Sequence, residues 1–295
     1  VSKVSILIPS REEPFLQRTI DDLLLQRDGD VEIIALLDGW WPNPPLKDDP
    51  HVKQIHWTVP QGLRSCLNAG ARVATGDYLL KIDAHCAVSE GYDVELAKVC
   101  GDDSIVVPAK YSLNADTWTR YREPWQYFYL TFPWDPTLNH PGLHDKACGP
   151  DVNAARAHIQ PIDDILSYQG SAWFLTKQHF ERIGPMDPAR YYVAQEPQEL
   201  GLATWLNGGR VVIHKGVWYA HLWKGRDHKR GFRLIKPRWV RALRASAEHW
   251  MAQSGFPALV EKFWDVLHEA PVGPWPDDWQ DPKYRVAIDA RKAAV

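Results

Sequence analysis

Asp83 and His85 stand one residue apart in the stretch Lys81-Ile82-Asp83-Ala84-His85-Cys86. A carboxylate and an imidazole at that spacing supply mixed oxygen and nitrogen donors suited to a divalent cation. The run Tyr78-Leu79-Leu80 before them follows Gly76-Asp77 and reads as a turn entering a buried strand. Both side chains therefore fall at a strand's C-terminal end, the edge where open α/β sheets bind ligands. Cys86 is expected as a buried thiol at that strand end. An isolated Asp-x-His arises often by chance, so its neighbours must carry the assignment.

Other groups with chemical capacity lie further along the chain. Glu196 and Glu199 open a helix, where carboxylates gain from the helix dipole with or without a catalytic role. Asp163 and Asp164 stand as fallback acid–base groups. His221 lies between Tyr219 and Trp223 and reads either as a third metal ligand or as a stacked loop histidine. Asp38-Gly39 reads either as a plain turn or as a hydrogen-bond acceptor at a strand end. From Lys224 to Arg244 the chain carries nine basic residues and one acid, Asp227, with Trp223, Phe232 and Trp239 interleaved. Such a stretch is either a solvated helix face or a surface for a polyanion, with aromatic rings that suit stacking on bases.

The elements that must position these groups follow from the pattern. Apolar runs at 4–8, 31–37, 54–58, 77–82 and 104–109 predict strands, and helical spacing over 15–26 and 62–74 predicts helices between them. This strand–helix alternation argues for a mainly parallel sheet with helices on both faces. Over residues 111–168 the alternation stops in favour of aromatic and polar sequence. Strands are then expected at 170–175 and 210–214, and helices at 177–183, 197–206, 237–252 and 255–268.

The chain has 295 residues, 45% hydrophobic and 24% charged, with a formal net charge of −3, all ordinary for a globular enzyme. Fifteen Trp is high and points to stacking surfaces as well as core. The four cysteines form no CxxC pair, which fits free thiols in a reducing compartment. No segment has the length of a signal peptide core or a membrane span.

Taken together, four segments resemble the GT-A nucleotide-sugar glycosyltransferases of family 2, and most closely the polypeptide N-acetylgalactosaminyltransferases. They are Ile6-Leu7-Ile8-Pro9-Ser10-Arg11-Glu12-Glu13, the stretch from Gly62-Leu63 through Asn68-Ala69-Gly70-Ala71-Arg72 to Gly76-Asp77, Asp83-Ala84-His85-Cys86, and the half containing Gly170 to Gly184, Glu196-Pro197-Gln198-Glu199 and His221-Leu222-Trp223-Lys224. The resemblance covers roughly residues 4–225 and implies a GT-A catalytic domain over 1–225 with a basic, helical C-terminal extension over 226–295. It implies metal ligation by Asp83, His85 and His221. Two imidazoles favour Mn²⁺ over Mg²⁺. It implies donor contacts from Pro9, Ser10, Arg11, Glu13, Asp38, Arg64 and Lys224, and acid–base or substrate roles for Glu196 and Glu199. Arg64 reads equally as a solvated helix charge. The acceptor side is assigned to Trp173, Arg230, Arg233, Lys236 and Arg238. The family's paired Asp is Leu37-Asp38 here, and its Trp-Gly-Gly is Val193-Ala194-Gln195, so neither uridine nor a particular sugar is fixed.

The function expected is transfer of a sugar from a nucleotide-sugar, in first place a UDP-sugar, to a hydroxyl. Without a membrane anchor, stem or lectin segment the enzyme is expected in the cytoplasm. The basic stretch then ranks nucleic acid, such as a hydroxymethylated base in phage DNA, ahead of a protein, lipid or small glycoside. A nucleotidyltransferase would want a Gly-rich phosphate loop, which Ser10-Arg11-Glu12-Glu13 is not. A non-catalytic sugar-nucleotide or nucleic-acid binding module would have no use for Asp83, His85, Glu196 and His221 in this order.

Overall fold

The structure is a computed structural model that describes residues 2–135, 142–188, 195–224, 228, 235–264 and 275–284. β1 (Val4–Ser10) and β2 (Val31–Asp38) are buried along almost their whole length, as strands covered on both faces must be. They pair in parallel through the crossover α1 (Leu16–Gln26), whose Leu16, Ile20 and Leu23 face the sheet. β3 (Val52–Trp57) adds to β2, and α2 (Leu63–Val73) returns the chain to β4 (Tyr78–Ile82) on the other side of β1. α2 reaches the sheet closely because Gly70 has no side chain: a Cβ there would lie 3.0 Å from Leu7 and 3.2 Å from Leu36. All four strands are parallel, so Ser10, Asp38 and the residues after Ile82 share one edge.

The second half breaks the parallel rule. After β5 (Cys86–Val88) and α3 (Tyr92–Val99), β6 (Ser104–Asn114) turns back as β7 (Thr119–Trp125). A small separate ribbon joins β8 (Phe128–Leu130) to β9 (Asp145–Ala147). α4 (Pro150–Ala155) and β10 (Ile162–Asp164) lead to β11 (Ala172–Thr176), which lies antiparallel between β4 and β6. α5 (Lys177–Ile183) and α6 (Glu196–Leu206) precede β12 (Arg210–His221), and α7 (Lys236–Met251) and α8 (Phe256–Lys262) follow it.

The expected α/β sheet flanked by helices is present, parallel on one side and mixed on the other. Two expectations are corrected here. The aromatic stretch after residue 110 continues in strand, since Tyr111, Tyr121 and Trp125 suit a pleated surface as well as a loop. β12 runs past His214, because a register shift between His214 and Trp218 absorbs Lys215-Gly216-Val217 and the strand resumes. That continuation pairs His221 with Cys86 and so brings a late residue to the end of the early half.

Alternate residues of β1 and β2 feed two apolar clusters on opposite faces. Trp250, Phe256, Trp275 and Trp279 from the C-terminal part join the cluster that contains Leu7 and Leu36. Among the described residues no helix is long and apolar enough to cross a membrane.

Candidate metal centre and nucleotide edge

Three strands deliver the centre. Asp83 leaves the end of β4 and is held there by its backbone N–H donating 2.9 Å to the Ser171 carbonyl beside β11. His85 stands before β5, and Leu222 N–H donates 3.1 Å to its carbonyl, which docks the end of β12 against it. His221 Nε2 is then 3.1 Å from His85 Nε2 and 3.2 Å from Asp83 Oδ2. One donor atom from each of the three lies within 4.8 Å of the others. One carboxylate oxygen and two imidazole nitrogens at such separations fit a first-row divalent ion and leave coordination positions for phosphate oxygens or water.

The charge states agree. Burial pushes the His221 imidazole down to about 3, so a nitrogen lone pair is available at neutral pH. Burial opposes the Asp83 charge, but Lys81 and His221 overcome it and hold the carboxyl well below its usual range. Glu13 accepts from His85 Nδ1 at 2.9 Å through Oε2 and from Lys224 Nζ at 2.9 Å through Oε1. With Nδ1 donating, His85 turns its Nε2 lone pair toward the other two ligands. Both Glu13 oxygens are thus engaged within the protein.

Lys81 is the residue that sequence reasoning missed. Its Nζ is 2.7 Å from Asp83 Oδ1 and 3.1 Å from Glu196 Oε1, and it also donates to the Gly170 carbonyl. It is 2% exposed. Burial works against its charge, but Asp83 and Glu196 raise its pKa above the ordinary lysine value. A lysine within Tyr78-Leu79-Leu80-Lys81-Ile82, otherwise a strand of apolar character, was the available signal.

Several expected roles change. Trp173 is wholly buried, stacks 6.1 Å from Phe180 and donates 3.4 Å to Glu196, so it underlies Glu196 instead of meeting an acceptor. Arg64 is buried and its Nε donates 3.0 Å to Glu199, so the solvated helix charge does not describe it. Glu199 also accepts from Asp187 N at 3.3 Å. Asp163 is taken by Arg156 and Tyr127, which removes it as a fallback base. Cys86 is fully buried, as expected of a strand-end thiol.

At the nucleotide edge, Asp38 accepts from Arg11 and from the backbone N–H groups of Gln61 and Gly62 at the start of α2. The turn after it needs Gly39, at φ +76°, where a Cβ would lie 2.6 Å from Pro60. Ser10 is buried, with its carbonyl accepting from Trp40 Nε1 at 2.8 Å, and Pro9 is half-buried beside it. Among the acceptor candidates, Arg238 is exposed on α7, and Lys236 opens that helix. Arg230 and Arg233 lie outside the described residues.

The central sheet flanked by helices is the GT-A architecture, and it presents an Asp-x-His and a later histidine at one strand edge. The sequence model of glycosyl transferase family 2 matches residues 5–155, and the chain belongs to that family. It is 26% identical over 208 residues to polypeptide N-acetylgalactosaminyltransferase 5 of Caenorhabditis elegans, covering 68% of this chain and 32% of that protein. To polypeptide N-acetylgalactosaminyltransferase 4 of Mus musculus it is 25% identical over 211 residues, covering 68% and 33%. The chain thus spans about a third of the length of these relatives. Its fold matches a crystal structure of GalNAc-T7 with UDP, GalNAc and Mn²⁺, with TM-score 0.64, 17% identity, and coverage of 98% of this chain and 55% of that one.

Proposed function

We propose that this chain transfers a sugar from a UDP-sugar to a hydroxyl acceptor, assisted by a divalent metal held by Asp83, His85 and His221. The observation that carries the reading is the convergence of those three side chains at the shared strand edge, with Glu13 and Lys224 behind them. When bound, the metal supplies Lewis-acid stabilisation of the departing diphosphate. Two imidazoles favour Mn²⁺ over Mg²⁺, and the GalNAc-T7 structure contains Mn²⁺ with UDP.

The protein's own groups divide the remaining work. Lys224 brings a cation beside the centre, where it can meet diphosphate oxygens. Arg11 and Asp38, with Pro9 and Ser10, form the edge assigned to the nucleoside. Of the two carboxylates on α6, Glu196 is assigned to the substrate side, because through Lys81 it shares a cation with Asp83. Glu199 is assigned to holding α6 against Arg64.

The relatives are named polypeptide transferases, which makes a Ser or Thr hydroxyl the first acceptor to test. A nucleic-acid acceptor, including a modified DNA base, has no support from these comparisons and is dropped. The test is turnover of a panel of UDP-sugars with Mn²⁺, with and without a Ser/Thr peptide. Mn²⁺-dependent release of UDP that Asp83→Ala abolishes supports the reading; UDP release at equal rates in EDTA refutes it.

A further inference from the structure

Beside the metal centre lies a second set of polar groups with no part in ligation. Lys110, on β6, is 2% exposed, and among the described residues nothing hydrogen-bonds its Nζ. The amine lies 4.2 Å from the Trp223 ring centroid, 5.3 Å from Trp125 and 6.0 Å from Phe128. Aromatic faces favour a cation but accept no ordinary hydrogen bond in its place. Burial pushes the amine down to about 8, with Asp145 pulling the other way. Asp145 therefore lies within electrostatic reach of Lys110 without bonding it.

Asp145 is placed by β9, opposite Leu130 and on the same face of the ribbon as Phe128. Its Oδ1 accepts from Gln198 Nε2 at 3.3 Å, and burial raises its carboxyl pKa. Gln198 sits two residues beyond Glu196 on α6. Gln198 Oε1 and the Tyr168 hydroxyl are also buried without a partner among the described residues, and Tyr168 is within electrostatic reach of both Glu196 and Asp145. The contacts continue through Trp223, whose ring is 5.8 Å from His221. Lys110 thus lies between Trp223, which borders the metal centre, and Phe128, which shares a ribbon face with Asp145.

We propose that Lys110 and Asp145 clamp one hydroxyl of the sugar being transferred: the Lys110 ammonium donates to the hydroxyl oxygen, and the hydroxyl donates to the Asp145 carboxylate. An anionic group is disfavoured, because Asp145 and Glu196 already place negative charge there. A hydroxyl is the neutral group that meets both needs at once, and a sugar is the part of the donor that follows the diphosphate. Lys110 and Asp145 are then specificity-determining residues. This rests on the UDP-sugar reading above.

The test is calorimetric binding of UDP, UDP-GalNAc, UDP-galactose and UDP-glucose in Mn²⁺, with the wild type, Lys110→Met and Asp145→Asn. The wild type should bind at least one UDP-sugar more tightly than UDP. Each variant should keep its UDP affinity and lose about tenfold or more of that advantage, the scale of a charged hydrogen bond. Lys110→Met should melt close to wild type, because among the described residues its amine has no hydrogen bond to lose and the variant keeps an apolar side chain against the same rings. Unchanged sugar preference in variants that still bind UDP overturns the clamp alone. A wild type that prefers no UDP-sugar over UDP also overturns it. Absence of Mn²⁺-dependent UDP binding by the wild type overturns the clamp and the proposed function together.

Discussion

The two buried residues that order the centre make opposite demands on the protein. Glu13 orients His85 from behind, and loss of such a supporting carboxylate typically costs about 10–100-fold in metal affinity. Glu13→Gln should lower Mn²⁺ affinity by that factor while leaving the circular dichroism spectrum unchanged; unaltered affinity would show that His85 needs no orienting partner. Lys81 stands between Asp83 and Glu196. Lys81→Met strips the cation from the buried Glu196 and the partly exposed Asp83, and breaking a buried ion pair such as Lys81–Glu196 costs about 3–5 kcal/mol. Urea unfolding in EDTA should show a loss of that size. A stability equal to wild type would mean that solvent reaches those carboxylates.

Among the elements, β2 carries a fastening of its own. Glu32 accepts from Ser5 Oγ at 2.6 Å on β1 and from Thr75 N at 2.6 Å on the loop before β4, and pairs with Lys53 on β3. Burial works against its charge, but these partners lower its pKa from 4.5 to about 2. The folded value lies below the unfolded one, so its stabilisation is complete above about pH 4.5 and is lost as pH falls through about 2. Lys53 is half exposed, which reduces the effect to roughly 2 kcal/mol. Glu32→Gln should remove that amount at pH 7 and flatten the acid limb of the stability curve. An unchanged acid limb would assign acid unfolding to other carboxylates.

The same elements show what the sequence made legible. β1, β2 and β4 were readable because short, largely apolar runs of that length have few other uses, and Asp83-Ala84-His85 was readable because β4 ends just before it. The antiparallel placement of β11 and the extension of β12 were not. Which strand inserts antiparallel between two others depends on contacts far apart in the chain, and Lys215-Gly216-Val217 hides a bulge behind what looks like a strand end. Local pattern also cannot tell a buried charge from an exposed one. Arg64, Trp173 and Glu13 were assigned to ligands by position and proved to be engaged within the protein, while Lys81 and Lys110 passed unnoticed in apolar strands.

Across the fold, the C-terminal helices share the apolar cluster that backs the central sheet. Trp275 is 1% exposed, packs edge-on to Phe132 and Trp279, and its Nε1 donates 2.7 Å to the Leu130 carbonyl at the end of β8. Trp275→Ala should cost about 3–5 kcal/mol, read as a lower melting temperature in one cooperative transition. Two separate transitions would show that the segment after residue 225 unfolds by itself. In the proposed function Asp83, His85 and His221 hold the metal that binds the donor's diphosphate. The most direct test of that role is the titration of UDP into the protein with Mn²⁺ and with EDTA, for wild type and for His221→Ala. Wild type should bind tightly only in Mn²⁺, and the variant should lose at least tenfold. Equal UDP affinity in EDTA, or a variant indistinguishable from wild type, would contradict it.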